Sequence, residues 1–270
     1  GGPDGGGSGS QLTLFRGDGE RLSSATHRDP PHVMGLGYIQ LLATQMQEEI
    51  DRLKAELIQN AKTMGKPYRR PLKVKGTDFG ALTAFPDGHL DPREVKGISK
   101  DLILRPFGWK GRHRDLATLA DEALQVHHGL QSMTRIKAYS TPESRARYLG
   151  SGSIYDPDQD GKAQELGDGQ SLTLAIYLSL LGTPQIKPPT SPHLSLAWAR
   201  GRQRFEEVGC VDCHRPMTRV RWAPLTLKAQ GSDRTVTVDL KVAGQDPKPR
   251  QIDFSPNEDG TIDVGLPLFL

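Results

Sequence analysis

Cysteine is scarce: the 270 residues hold two, Cys210 and Cys213. That is too few for a disulfide-stapled framework, and a chain of this length buries a core without one. Aromatic residues make up only 6%, which predicts a modest core. Charge of one sign is also lacking, because 35 Lys+Arg face 32 Asp+Glu for a net of +3. The dense basic face of a nucleic-acid binder is therefore not indicated, and no nucleic-acid partner is expected. The longest apolar stretch, around Ser171–Leu181, is interrupted by Thr, Tyr and Ser. It falls well short of the roughly 18 apolar residues of a membrane span, so none is expected. In abundance are 30 glycines and 20 prolines, which predict many turns and loops.

The chain opens GGPDGGGSGS, a linker-like composition without the basic and apolar regions of a signal peptide. It closes on the apolar Ile262–Leu270. Free ends are usually polar, so both ends read as internal to a longer protein.

Between them, Ile39, Leu42, Met46, Ile50, Leu53, Leu57 and Ile58 recur mostly at spacings of three and four, predicting a helix over about Leu36–Met64. Gly65-Lys66-Pro67 ends it. Gln11–Arg16 reads as a short strand. Leu72–Phe85 alternates, and pairing with Val95–Leu104 across Gly88 and Pro92 is expected to make an antiparallel ribbon. Further helices are expected over about Asp115–His128, Glu165–Leu181 and His193–Val208. Gln185–Pro192 is the best linker candidate. Thr235–Val242 alternates polar and apolar residues, the pattern of a half-buried strand.

The sharpest signal is Cys210-Val211-Asp212-Cys213-His214. C-x-x-C-H is the attachment motif of c-type haem. Its two thiols form thioethers with the two porphyrin vinyl groups, and the adjacent imidazole ligates the iron from one face. His214 is thus the expected proximal ligand. The sixth ligand is open: Met217 lies close in sequence, and His193, His127, His128, Met133 and Met64 qualify by composition alone. Other readings of the same residues stay open: buried free thiols, a zinc site recruiting distant histidines, or a redox dithiol.

A second motif is Asp156-Pro157-Asp158-Gln159-Asp160-Gly161, the D-x-D-x-D-G start of a calcium loop. An EF-hand places a bidentate Glu at the twelfth position. That position is Gly167, and Glu165 substitutes in a shorter loop. The expected calcium ligands are Asp156, Asp158, Asp160 and Glu165, against the plain alternative of a solvated acidic turn.

Four segments occur in order: Arg28-Asp29-Pro30-Pro31-His32-Val33-Met34-Gly35-Leu36-Gly37, then Arg105-Pro106-Phe107-Gly108-Trp109-Lys110-Gly111, then Tyr155–Gly161, then Gly209-Cys210 through His214. Together they resemble the bacterial di-haem oxidoreductases related to the di-haem cytochrome c peroxidases. The likeness spans most of residues 12–220. It implies a mainly α fold of cytochrome c-like domains with inserted short β ribbons. Residues 1–188 would be a partial N-terminal cytochrome c-like domain that lacks its haem motif and carries the ribbon and the calcium loop. Residues 189–270 would be a truncated C-terminal cytochrome c domain.

The family has two haem motifs and this chain has one. By resemblance, its haem relays electrons to a catalytic haem elsewhere, and the donor is a small cytochrome or cupredoxin. Trp109 resembles a tryptophan implicated in electron passage between the haems; as a plain residue it is equally a packing anchor. The family's acid/base Glu has no counterpart in Val126-His127-His128-Gly129. His128 stands there as a candidate proton shuttle, or as a helix-dipole partner. Covalent haem attachment in bacteria implies a periplasmic or exported location. The alternative functions are a monohaem electron-transfer module without catalysis and a non-haem metal-binding structural protein.

Overall fold

The computed structural model describes residues 32–108, 111–128, 130, 132, 165–183, 188–212, 217–229, 233–240 and 261–265. Among them are four α-helices: α1 (Leu36–Met64), α2 (Leu116–His128), α3 (Asp168–Leu180) and α4 (Pro192–Glu207). The seven strands are β1 (Tyr68–Val74), β2 (Thr77–Ala84), β3 (Leu90–Asp91), β4 (Met217–Arg221), β5 (Leu225–Lys228), β6 (Thr235–Val238) and β7 (Thr261–Gly265). They form three sheets, β1–β2–β3, β4–β7 and β5–β6, each antiparallel throughout.

This corrects the expected mainly α, cytochrome c-like fold: the described residues are mixed α/β. Two of the three sheets are built wholly from chain that follows the C-x-x-C-H motif. Thr218 and Val220 are buried on β4 while Arg219 and Arg221 are exposed. That period of two belongs to a strand with one covered face. The strand signal after the motif reaches well beyond the single ribbon foreseen there. Gln11–Arg16 and residues 185–187 of the Gln185–Pro192 linker lie outside the described residues, and Pro192 already belongs to α4.

The chain clusters into two compact units, each discontinuous in sequence. The first joins residues 107–180 to 224–238, together with the N-terminal stretch. Asp115 opens α2, its carboxylate accepting from the Thr118 backbone N–H at 2.8 Å and the Thr118 hydroxyl at 2.7 Å. This is the N-cap geometry that a helix start requires. Leu116 and Ala120 on α2, and Leu172 and Ala175 on α3, are buried. β5 packs on both helices and buries Leu225 and Leu227 on alternate positions.

The second unit joins residues 34–106, 181–223 and 239–270. Its spine is α1. The first eight residues, Leu36 to Ala43, are all buried, so this end is covered on every side. Further along, besides Gln45, only Ile50, Leu53, Leu57 and Ala61 stay buried, one apolar stripe at helical spacing. The stripe packs on Leu72, Val74, Phe79 and Leu82 of β1 and β2. Gly65 closes α1 in the left-handed region (φ 62), its N–H returning to the Lys62 carbonyl.

The expected ribbon was mispaired. β1 folds onto β2 through Lys75 (φ 47) and Gly76 (φ 77), a turn with positive φ at both positions. Val95 joins only by an isolated bridge to Gly80. A β-carbon on Gly80 would sit 2.1 Å from the Glu94 carbonyl oxygen, so the approach of these two backbones requires glycine.

Two glutamines of α1 fasten distant chain. Gln45 donates to the Arg221 carbonyl at 2.5 Å and accepts from the Arg221 N–H at 2.9 Å. Gln47 accepts from the Leu104 N–H at 2.9 Å and donates to the Leu102 carbonyl at 3.1 Å. The Gln45 amide thus offers one residue of β4 both the donor and the acceptor that a neighbouring strand would offer.

Candidate haem-attachment site

α4 delivers the motif. Pro192 at its first turn supplies a preset φ where no N–H is needed, with Ser191 extended before it. The helix ends at Glu207; the Val208 N–H reaches the Arg204 carbonyl and the Gly209 N–H reaches the Glu206 carbonyl, both at 3.0 Å. Gly209 adopts φ 80, a left-handed step that turns the chain off the helix axis. Cys210 then opens a 3-10 turn over Cys210–Asp212. Its thiol is half-buried and free of any disulfide. The chain is next described at Met217, the start of β4, which pairs with Gly265.

No residue of α4 is buried. Leu194 and Leu196 are 59% and 60% exposed, and Val208, just past the helix, is 70% exposed. Half of the large apolar side chains exposed among the described residues thus belong to this one segment. Leu194 and Val208 lie on one side of the segment and Leu196 on the other, so no described element covers it.

The other sequence-derived site residues divide as follows. Cys213, His214, Trp109, Asp156, Asp158 and Asp160 lie outside the described residues. Glu165 is half-buried just before α3. His128 is exposed as the last residue of α2. Of the candidate axial ligands, His193 is exposed on the first turn of α4, and Met64 is 51% exposed at the end of α1. Among the described residues no three His, Cys, Asp or Glu side chains gather as a metal site.

The structure also shows a charged cluster that sequence reading missed. Phe107 and His113 close a short loop with paired backbone hydrogen bonds of 3.2 and 3.0 Å. The His113 ring is buried, and its Nε2 meets the Glu122 carboxylate of α2; Arg112 takes the other carboxylate oxygen at 2.5 Å. A β-carbon on Gly108 would lie 2.8 Å from the His113 ring, so the loop closes only around glycine. Trp109 and Lys110 are the residues this loop carries between Gly108 and Gly111. Glu122 lies one turn before Val126 on α2. A His and a Glu nine positions apart across a loop-to-helix junction leave no periodic trace, so no pattern pointed to the pair.

Tyr38 is another buried polar group. Its hydroxyl donates to the Leu240 carbonyl at 3.3 Å. Burial, reinforced by the negative charge of Asp239, pushes its pKa up to about 12.

No protein-family profile, curated protein or solved structure matches this chain. No helix among the described residues is long and apolar enough to cross a membrane.

Proposed function

We propose that this chain is a c-type haem redox protein of the di-haem peroxidase and oxidoreductase type. Cys210 and Cys213 anchor the haem covalently, and His214 ligates its iron. The bound group supplies a one-electron ferric/ferrous couple. In this reading the chain relays electrons from a small cytochrome or cupredoxin to a catalytic haem elsewhere, in a periplasmic or exported setting.

The observation that carries the proposal is the placement of Cys210. It is a free, half-buried thiol in a 3-10 turn just past the end of α4, with a second thiol and a His following in the attachment spacing. A structural zinc site is less well matched, since it takes four ligands and the sequence offers no further Cys.

Within the same proposal, Trp109 is an electron conduit. Asp156, Asp158, Asp160 and Glu165 hold calcium. The position of His128 at the C-terminal end of α2 suits a dipole partner better than a proton shuttle. One feature favours a second reading, a simple monohaem carrier: the sequence contains a single C-x-x-C-H.

The test is expression in a host with c-type haem maturation machinery, followed by haem staining of a denaturing gel. A haem-positive band that is lost in Cys210→Ser and Cys213→Ser supports the reading. A haem-negative band from folded protein overturns it. Peroxide-dependent oxidation of a reduced cytochrome by the haem-loaded protein separates peroxidase from carrier. Calorimetric titration with calcium, showing neither heat nor a rise in Tm, would remove the calcium site.

A further inference from the structure

We infer that α4 is the docking surface for an acidic partner protein. The inference rests on the haem-redox reading only for the partner's role; the surface itself is read from exposure and charge.

The residues from His193 to Arg221 include six arginines, Arg200, Arg202, Arg204, Arg215, Arg219 and Arg221, with no lysine, against three carboxylates. That net of +3 equals the net charge of all 270 residues, so the remainder of the chain is balanced. Lys62–Lys75 is denser still, with six basic residues and no carboxylate; what distinguishes α4 is that its arginines border an exposed apolar stripe. Every one of these arginines that the structure describes is exposed.

On α4 the charges are ordered. Leu194, Trp198, Phe205 and Val208 recur at spacings that share one stripe of the helix. His193, Arg200 and Arg204 fall along one flank of it. Arg202 falls on the other, its guanidinium 5.0 Å from the Trp198 ring. Of the two carboxylates on the helix, Glu207 is engaged by Arg204 at 2.6 Å and by Gln203 at 2.7 Å. Arg200 and Arg202 make no ion pair with any described residue. An apolar strip bearing Trp and Leu between arginines has the composition of an interface core with a charged rim.

The partner's chemistry follows by complementarity: a small apolar patch ringed by Asp and Glu. The size is right for a transient encounter. Sixteen helical residues span about 24 Å, enough for a contact at the small end of the interface range, where electron-transfer complexes lie. A membrane surface is less well matched, because Leu196 and Glu207 project on the opposite face and Glu206 lies on a flank of the strip.

The experiment measures binding of the haem-loaded chain by surface plasmon resonance to three probes. These are plant plastocyanin, an acidic cupredoxin; a basic mitochondrial cytochrome c; and vesicles of phosphatidylcholine with phosphatidylserine. The expected result is binding to the acidic cupredoxin alone, weakening at least about tenfold as salt rises from ~20 to ~200 mM. The double variant Arg200→Glu/Arg204→Glu should lose at least about tenfold in affinity. Trp198→Ala should lose a similar amount, and Lys66→Glu, exposed on another part of the chain, should stay within about twofold. Far-UV circular dichroism checks the fold of each variant, which is robust here because α4 buries nothing.

Equal binding of the basic cytochrome, indifference to salt and charge reversal, or binding to no probe each overturns the inference. Vesicle binding without cupredoxin binding overturns it in favour of a lipid surface. Haem content is read separately from the Soret band. A haem-free chain that still binds the cupredoxin defeats the redox reading and leaves the docking surface standing. A haem-loaded chain that fails to bind defeats the docking surface alone.

Discussion

The side-chain amide of Gln45 satisfies both backbone polar groups of Arg221, a residue 176 positions later in the chain. Its oxygen also accepts from the Lys75 ammonium at 3.1 Å, so one side chain ties α1 to the end of β4 and to the β1–β2 turn. Gln45 is itself only 7% exposed. Replacing it with Ala strands two backbone groups, an expected loss of about 2–3 kcal/mol by denaturant titration. Gln45→Met fills the same volume without the bonds. A loss within about 1 kcal/mol of that for Ala shows that hydrogen bonding is responsible, and a neutral Met variant refutes it.

Glu122→Gln keeps the shape of the carboxylate and removes its charge. The His113 ring stays buried while Arg112 is about half exposed, so solvent screens part of the interaction. A loss of about 2 kcal/mol is expected, together with faster proteolysis within residues 107–113. An unchanged digestion pattern would show that the carboxylate does not hold this loop.

Tyr38 provides a pH test. Its folded pKa lies above the unfolded value, so the folded state keeps a proton that the unfolded chain releases near pH 10. Stability from this group is complete below pH 10 and falls as pH rises towards 12, by about 2 kcal/mol in all. Tyr38→Phe should abolish that decline while costing about 1 kcal/mol at neutral pH for the lost bond to Leu240. Denaturant midpoints measured from pH 8 to pH 12 decide it; an equal decline in both proteins assigns it elsewhere.

Gly80 and Gly65 both have positive φ, but they differ in surroundings. Nothing lies within 4 Å of a β-carbon at Gly65, whereas at Gly80 the Glu94 carbonyl blocks it. Gly65→Ala is expected to cost about 1 kcal/mol. Gly80→Ala must also push the two backbones apart and should cost about 3 kcal/mol or more. Thermal melts of the pair test the difference, and equal Tm values would show that the close approach relaxes freely.

Sequence alone located α1 at Leu36–Met64 and α4 to within a residue at each end. Both have clear stops: glycine after α1, and proline before α4 with glycine shortly after it. The β1–β2 hairpin was less legible. Pro71 weakens the strand signal, and Lys75-Gly76 lacks the Asn or Asp that usually announces such a turn. The sheets after the motif were under-read because each strand is only four or five residues long, too short to establish a period. At the candidate site, the attachment motif is visible in any reading of the sequence. Its exposed helix is not, since the periodicity of α4 resembles that of a helix packed on a core. The Glu122 grip and the two glutamine clamps depend on tertiary approach alone.

The buried start of α1 has a consequence during synthesis. Its cover includes chain around Leu240, 202 residues downstream of Tyr38. A ribosome adding about 5–20 residues per second needs roughly 10–40 s to make that stretch. Throughout that interval the most apolar turns of the first long helix emerge before their covering partner exists. The nascent polypeptide therefore presents a sticky segment early and buries it late, which makes it a natural client for a holding chaperone.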